Sequence, residues 1–438
     1  MRKTITVPSS IGNKHDRACQ SKLRQATFYL LFSSAIGVQV IHNPFNLQSE
    51  FLSVMSDSQS PAKPQSSTKR FPKIILQVIF MLAILIALFW YVGTTVPEEF
   101  KPGEPTILRG VDYLYTTLLT VNVLYLLFAF LAYFGINIFF TIRLRRVLAK
   151  DGVKTTFGKT LMAQYGGMLT SDVTPGRSGY ILTPVYLRDQ NVPTSKGLSS
   201  ILGIQTIEFL VKVVGGLGAV IFLVRTVPTQ TWNEMFPQNI AGINIGIIIA
   251  ALGIALMLLG AIVLAAFTWS QRAIALFDRI ANSRYLRRFT GGLMGRLEEY
   301  KESAHSTQRA IPEIIALTLI CWIFKGIEWY FLGWALGIDL PFYVYFLIHP
   351  LVTALAFVPI TPAGAGVQEF GIIGIFGLLG VAVGPAAVFA LLARGILIFQ
   401  DLIGVPQIVK STSLIFTRKK FPEPTPPPQT PASPSPAF

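Results

Sequence analysis

Two apolar stretches of this sequence are broken in the same way, and that pairing limits what the chain can fold into more than any other feature. The first break reads Thr174, Pro175, Gly176, Arg177, Ser178, Gly179; the second reads Thr361, Pro362, Ala363, Gly364, Ala365, Gly366. Proline removes a backbone donor and restricts the residue before it, while glycine admits left-handed backbone, so a helix entering either stretch stops there. At membrane depth the freed N–H and C=O groups have to face protein or water rather than lipid. Paired interruptions in two halves of a membrane protein point to a central binding site.

The surrounding sequence fits a bilayer. Of the 438 residues, 52% are hydrophobic and 13% charged, with mean hydropathy +0.54, against the roughly 25% charged usage of a soluble domain. A formal net charge of +15 would suit nucleic acid, but the basic residues sit in short loops between apolar runs. That is the positive-inside pattern, so anionic inner-leaflet headgroups are the expected partner and nucleic acid is not. Cys19 and Cys321 offer no disulfide framework and no cysteine metal site. No phosphate loop, dinucleotide fingerprint or nucleophile elbow is present, so neither cofactor nor metal is expected and no catalytic set emerges.

Taken in order, residues 1–70 read as a flexible basic extension, with Met55 the expected true start. Six full spans are expected: Phe71–Val96, Tyr113–Ile142, Leu198–Val224, Ile240–Trp269, Ile311–Ile338 and Ala386–Val409. Each approaches or exceeds the roughly 20 residues that cross a bilayer. Arg143, Arg145, Arg146 and Lys150 after the second span place that loop in the cytoplasm, as does the basic loop 270–309. The broken stretches Phe157–Leu187 and Phe342–Leu379 then read as re-entrant hairpins of opposite sense, an inverted repeat. The fold class is an all-α polytopic membrane protein with a membrane domain at 71–412, both termini cytoplasmic and a Pro-rich tail at 413–438. The sequence does not set an oligomeric state.

Several charged residues lie at membrane depth. Arg177, beside its break, either snorkels to inner headgroups or forms an anion site with the backbone amides freed at Pro175–Gly179, suited to phosphate. Glu369 either caps a helix start or pairs with Arg177 or Arg394. Glu208 with Lys212, and Lys325 with Glu328, are spaced to neutralise one another on one helical face. Arg394 and Asp401 share a face of the last span, with Asp401 expected near the inner interface, and His349 reads as a locally bonded lone histidine. The glycines at 215, 216 and 218, and at 374, 377 and 380, read as helix-packing faces.

With these residues in hand, the chain resembles the transmembrane region of lysylphosphatidylglycerol synthases, a family of flippase-like integral membrane proteins. The resemblance is carried by Thr174–Gly179, Pro184–Arg188, Pro359–Glu369 and Arg394, and covers about residues 72–412. Family members often have Glu where Tyr180 stands, and Glu-Arg-x-x-Asp near Ile204–Glu208, so those charged partners are not carried over. The resemblance implies a lipid-translocating half without the soluble aminoacyl-transfer half, and a partner lipid or glycolipid synthase. The substrate it implies is a phospholipid, aminoacylated lipid, glycolipid or polyisoprenoid-linked lipid. The site residues expected on this reading are Thr174, Pro175, Gly176, Arg177, Ser178, Gly179, Thr361, Pro362, Gly364, Gly366, Glu369 and Arg394. Glu208, Lys212, Lys325, Glu328 and Asp401 are their charge partners. A membrane-embedded enzyme and a non-transporting scaffold are the alternatives.

Overall fold

The computed structural model describes residues 83, 86–96, 100–174, 176–240, 242–270, 272, 294–356, 361 and 364–416. The N-terminal extension with its Met55 start, loop residues 273–293, the tail from 417, and Pro175, Pro362 and Ala363 lie outside the described residues.

The described chain is helical apart from one short β-hairpin at Asn239–Asn244. After α1 (Ile86–Thr95) come α2 (Thr106–Leu119), α3 (Val123–Lys150), α4 (Phe157–Asp172), α5 (Thr194–Thr226) and α6 (Ile245–Trp269). Then follow α7 (Met294–Arg309), α8 (Ile311–Ala335), α9 (Phe342–Ala356), α10 (Val367–Leu378), α11 (Val383–Asp401) and α12 (Val405–Phe416). Among the described residues, α3, α5, α6, α8 and the α11–α12 unit are long and apolar enough to cross a membrane.

The sequence reading of Tyr113–Ile142 as one span needs correction. Asn122 ends that run: its side chain accepts from the Leu124 amide at 3.0 Å, while its own amide donates to the Ala335 carbonyl at 2.9 Å. A capping side chain starts a new helix wherever it satisfies an orphan amide. The span therefore begins at Val123 and continues to Lys150, which carries Arg143 into the protein rather than into a loop. Arg143 is 1% exposed.

Helix pairing follows from contacts at both ends. The Asn122–Ala335 bond at one end and Lys150 Nζ to Glu313 at 2.8 Å at the other make α3 and α8 antiparallel. The second end also gathers Lys196 on the Asp151 carbonyl at 3.2 Å and Lys410 on Asp189 at 2.7 Å. The residues read as cytoplasmic by their charge thus meet at one end of the bundle.

Small residues set the closest approaches. A Cβ on Gly404 would sit 2.4 Å from the Gly166 nitrogen, and one on Gly215 2.3 Å from the Trp322 ring. Small residues at such crossings let helices approach to backbone contact. Gly404→Ala meets backbone, which cannot rotate away. It is expected to destabilise the protein by about 1–3 kcal/mol or more, measured as a lower unfolding temperature in detergent micelles.

Both breaks separate short elements. The 16 residues of α4, at about 1.5 Å each, fall short of the roughly 30 Å hydrocarbon core. The 15 of α9 and 12 of α10 do the same.

Candidate functional site

The first break turns on Arg177, which holds φ 55°, a left-handed conformation that non-glycine residues rarely adopt. Gly176 precedes it at φ 59°. The turn is closed from within. Thr174 Oγ1 accepts from the Gly179 amide at 2.7 Å, the Arg177 amide donates to the Thr174 carbonyl at 3.3 Å, and Ser171 Oγ donates to the Arg177 carbonyl at 3.1 Å. Of the backbone amides at Pro175–Gly179 expected to contribute to an anion site, those of Arg177 and Gly179 are spent on the turn. The guanidinium remains. Its Nη2 lies 3.5 Å from Asp172 Oδ1, and Nε and Nη2 are buried without a hydrogen-bond acceptor.

The second break is organised by Glu369. One carboxylate oxygen accepts from the Gly366 amide at 2.6 Å, closing the start of α10, and the other pairs with Arg394 Nε. Capping and pairing therefore coexist, and the Glu369 partner is Arg394 rather than Arg177. Arg394 Nη2 also donates to Gln368 Oε1 at 3.1 Å. Gly364 (φ 69°) and Gly366 (φ 84°) supply the left-handed backbone of the turn, and Thr361 is buried.

A cavity of about 390 Å³ opens among α3, α4, α5, α6, α8, α9 and α10. Gly176, Arg177 and Ser178 line it from the first break, and Lys212 and Lys325 line it from the long helices. Arg143 and Glu208 form another part of the wall, with Gln368 reaching in from the second. Thr361, Gly364, Gly366, Glu369 and Arg394 are not on its wall. They brace it through Gln368. The lining holds four cations, Arg143, Arg177, Lys212 and Lys325, and a single carboxylate, Glu208. Most of the remaining wall is apolar.

The charges are tied together across helices. Glu208 accepts from Lys212 at 2.6 Å and from Arg143 at 2.7 Å, while Arg143 also reaches Thr318 at 2.7 Å. Lys325 Nζ holds both oxygens of Glu328 at 2.7 and 2.8 Å and lies 4.9 Å from the Tyr133 ring. His349 Nε2 bonds to Thr353 Oγ1 at 3.0 Å, as a local bond was expected to do, while its Nδ1 is buried without a hydrogen-bond partner. Asp401 is fully buried, with the Tyr133 hydroxyl donating to its carboxyl at 3.4 Å.

A family model of the lysylphosphatidylglycerol synthase transmembrane region matches residues 78–404. The chain belongs to that family. No curated protein and no solved structure matches the chain. As a member of the lysylphosphatidylglycerol synthase transmembrane region family, it is a multi-pass membrane protein associated with lipid modification or transport.

Tyr180, just after the first break, donates to Gln164 at 2.9 Å. The segment Ile204–Glu208, whose family charge pattern was not carried over, contributes Glu208 to the Arg143–Glu208–Lys212 triad.

Arg143, Asp172 and Tyr133 are the site residues that sequence reasoning passed over. Arg143 was hidden by the misplaced span end. Asp172 had a usable signal, since an acid at membrane depth two residues before a break is a functional pointer by itself. Tyr133 had none, being one aromatic among 14 tyrosines and 32 phenylalanines.

Proposed function

We propose that the protein moves an anionic, phosphate-bearing lipid between leaflets, with the headgroup held in the cavity between the two breaks and the acyl chains left in the bilayer. The observation that carries this reading is the Arg177 guanidinium, buried on the cavity wall with Nε and Nη2 lacking an acceptor. Buried donors of this kind are costly unless a ligand supplies the acceptor, and guanidinium and phosphate match bidentately. Lys212, Lys325 and Arg143 add positive charge on the same wall. Of the carboxylates that could act as bases for an enzyme, Glu369 is engaged by Gly366 and Arg394 and Glu208 by two cations. This favours a carrier over a catalyst.

In this reading the two broken hairpins move against the long helices to give alternating access, with the end bearing Lys150, Lys196 and Lys410 facing the cytoplasm of the cell membrane. The test is reconstitution in phosphatidylcholine vesicles containing a trace of fluorescent phosphatidylglycerol, whose exposure is read by a membrane-impermeant quencher. Protein-dependent exchange of the probe between leaflets is expected, with fluorescent phosphatidylcholine exchanging more slowly. Inorganic phosphate tested alone separates a lipid headgroup from free phosphate as the ligand. Equal exchange with and without protein ends the proposal.

A further inference from the structure

Two acidic residues meet beside the cavity in a way the headgroup reading does not require. Asp172 is the last residue of α4 and Asp401 the last of α11. Asp172 therefore closes a helix at the end where carbonyl groups concentrate partial negative charge, the least favourable helical position for a carboxylate, whereas at Asp401 the chain runs on through a short 3-10 turn into α12. The helices α4 and α11 pack against one another, and the two carboxyls interact there, with the Tyr133 hydroxyl 3.4 Å from Asp401 and Arg177 3.5 Å from Asp172. Asp401 is fully buried and the Asp172 side chain is 6% exposed. Oδ2 of Asp172 is buried without a donor from another hydrogen-bonding group. Two adjacent buried carboxylates are not tolerated together unless a proton or a cation lies between them.

Resting on the headgroup reading of the cavity, we infer that Asp172 and Asp401 form a proton-binding pair whose proton travels with the anionic lipid. One bound proton turns two carboxylates into one carboxylate and one carboxylic acid, which supplies the missing donor. The charged and titratable groups facing the pair are Arg177 beside α4, Tyr133 of α3, Lys325 of α8, Arg394 of α11 and Tyr165 of α4, with Glu328 of α8 acting on Tyr133. Arg394 is held by Glu369 and Lys325 by Glu328. Lys325 also lines the cavity, so of the two cations that face both the pair and the cavity, Arg177, 3.5 Å from Asp172, is the one not held by a carboxylate of its own helix.

The charge balance gives the coupling. The four cavity cations face the carboxylates of Glu208, Glu328, Asp172 and Asp401, so with the pair fully ionised the group is neutral. Adding one proton leaves one cation in excess, and Arg177 is released from the pair toward the headgroup. Losing the proton, to water on whichever side the cavity faces, draws Arg177 back to two carboxylates and weakens the anion site. Linkage makes the effect reciprocal, so the bound anion also holds the proton.

The experiment has two readouts. Infrared spectra of the reconstituted wild-type protein are expected to contain a protonated-carboxyl band near neutral pH that shifts in heavy water and disappears in Asp401→Asn and in Asp172→Asn. Binding of fluorescent phosphatidylglycerol is expected to weaken by up to about tenfold per pH unit as the single linked proton is lost, and Asp401→Asn is expected to flatten that dependence. Absence of the band in the wild type, or an unchanged pH slope in both variants, overturns the inference. A band that is lost in the variants, in a protein that binds no lipid at any pH, sinks the headgroup reading and leaves the proton site standing. The wild-type titration needs no variant to fold.

Discussion

Arg177→Gln is expected to slow phosphatidylglycerol exchange by roughly tenfold to 100-fold, the equivalent of the ~1.5–3 kcal/mol that a charge-assisted hydrogen bond contributes. The glutamine keeps a donor at reduced reach but removes the charge and the second edge of the guanidinium. The turn itself is held by the Arg177 carbonyl and amide, which remain, while the change also takes a cation from beside buried Asp172, so the rate is read on folded protein. Arg177→Lys restores charge without the fork and is expected to recover only part of the rate, because an ammonium cannot bind phosphate bidentately. The measurement is quencher-accessible fluorescence in vesicles, normalised to folded protein by size-exclusion chromatography. Wild-type exchange in Arg177→Gln would remove Arg177 from the headgroup site and with it the main support for the proposed function.

Glu208→Leu is expected to be the most destabilising single change in the protein. It removes the carboxylate from Arg143, which is 1% exposed and would keep only Thr318 and the Phe140 ring, 4.7 Å away, as partners. Breaking a buried ion pair by deleting one member costs about 3–5 kcal/mol, since the remaining charge stays desolvated. The double replacement Arg143→Met with Glu208→Leu is expected to recover most of that loss. Buried pairs exchanged for apolar groups of similar volume are often neutral, and the shortfall of the two single effects measures their coupling. Thermal unfolding in detergent, followed by tryptophan fluorescence, reads both variants. If Glu208→Leu unfolds at the wild-type temperature, the triad does not hold α3 to α5.

Much of this protein was legible from residues alone because the bilayer leaves few solutions. A long apolar run must be a helix there, so α5, α6 and α8 were readable to within a few residues. The breaks were readable for the opposite reason, since proline and glycine together forbid helix continuation whatever surrounds them. Pairs at helical spacing, Glu208 with Lys212 and Lys325 with Glu328, needed only the 3.6-residue repeat. The end of α3 was not legible, because a basic residue past an apolar run looks the same whether it reaches headgroups or turns inward to Glu208.

What the sequence by itself determined is therefore local: which segments are helical, where two of them break, and which charges neutralise a neighbour on their own helix. Tertiary structure alone decided the rest. It set Asp172 against Asp401 across 229 residues of chain, gave Glu369 to Arg394, turned Arg143 inward and left Arg177 on the cavity wall. Those choices depend on how helices cross, and the crossings are set by backbone contacts such as Gly404 on Gly166. Periodicity reports which face of a helix is apolar, but in a membrane protein lipid and protein are equally apolar, so the pattern does not say which helix lies opposite.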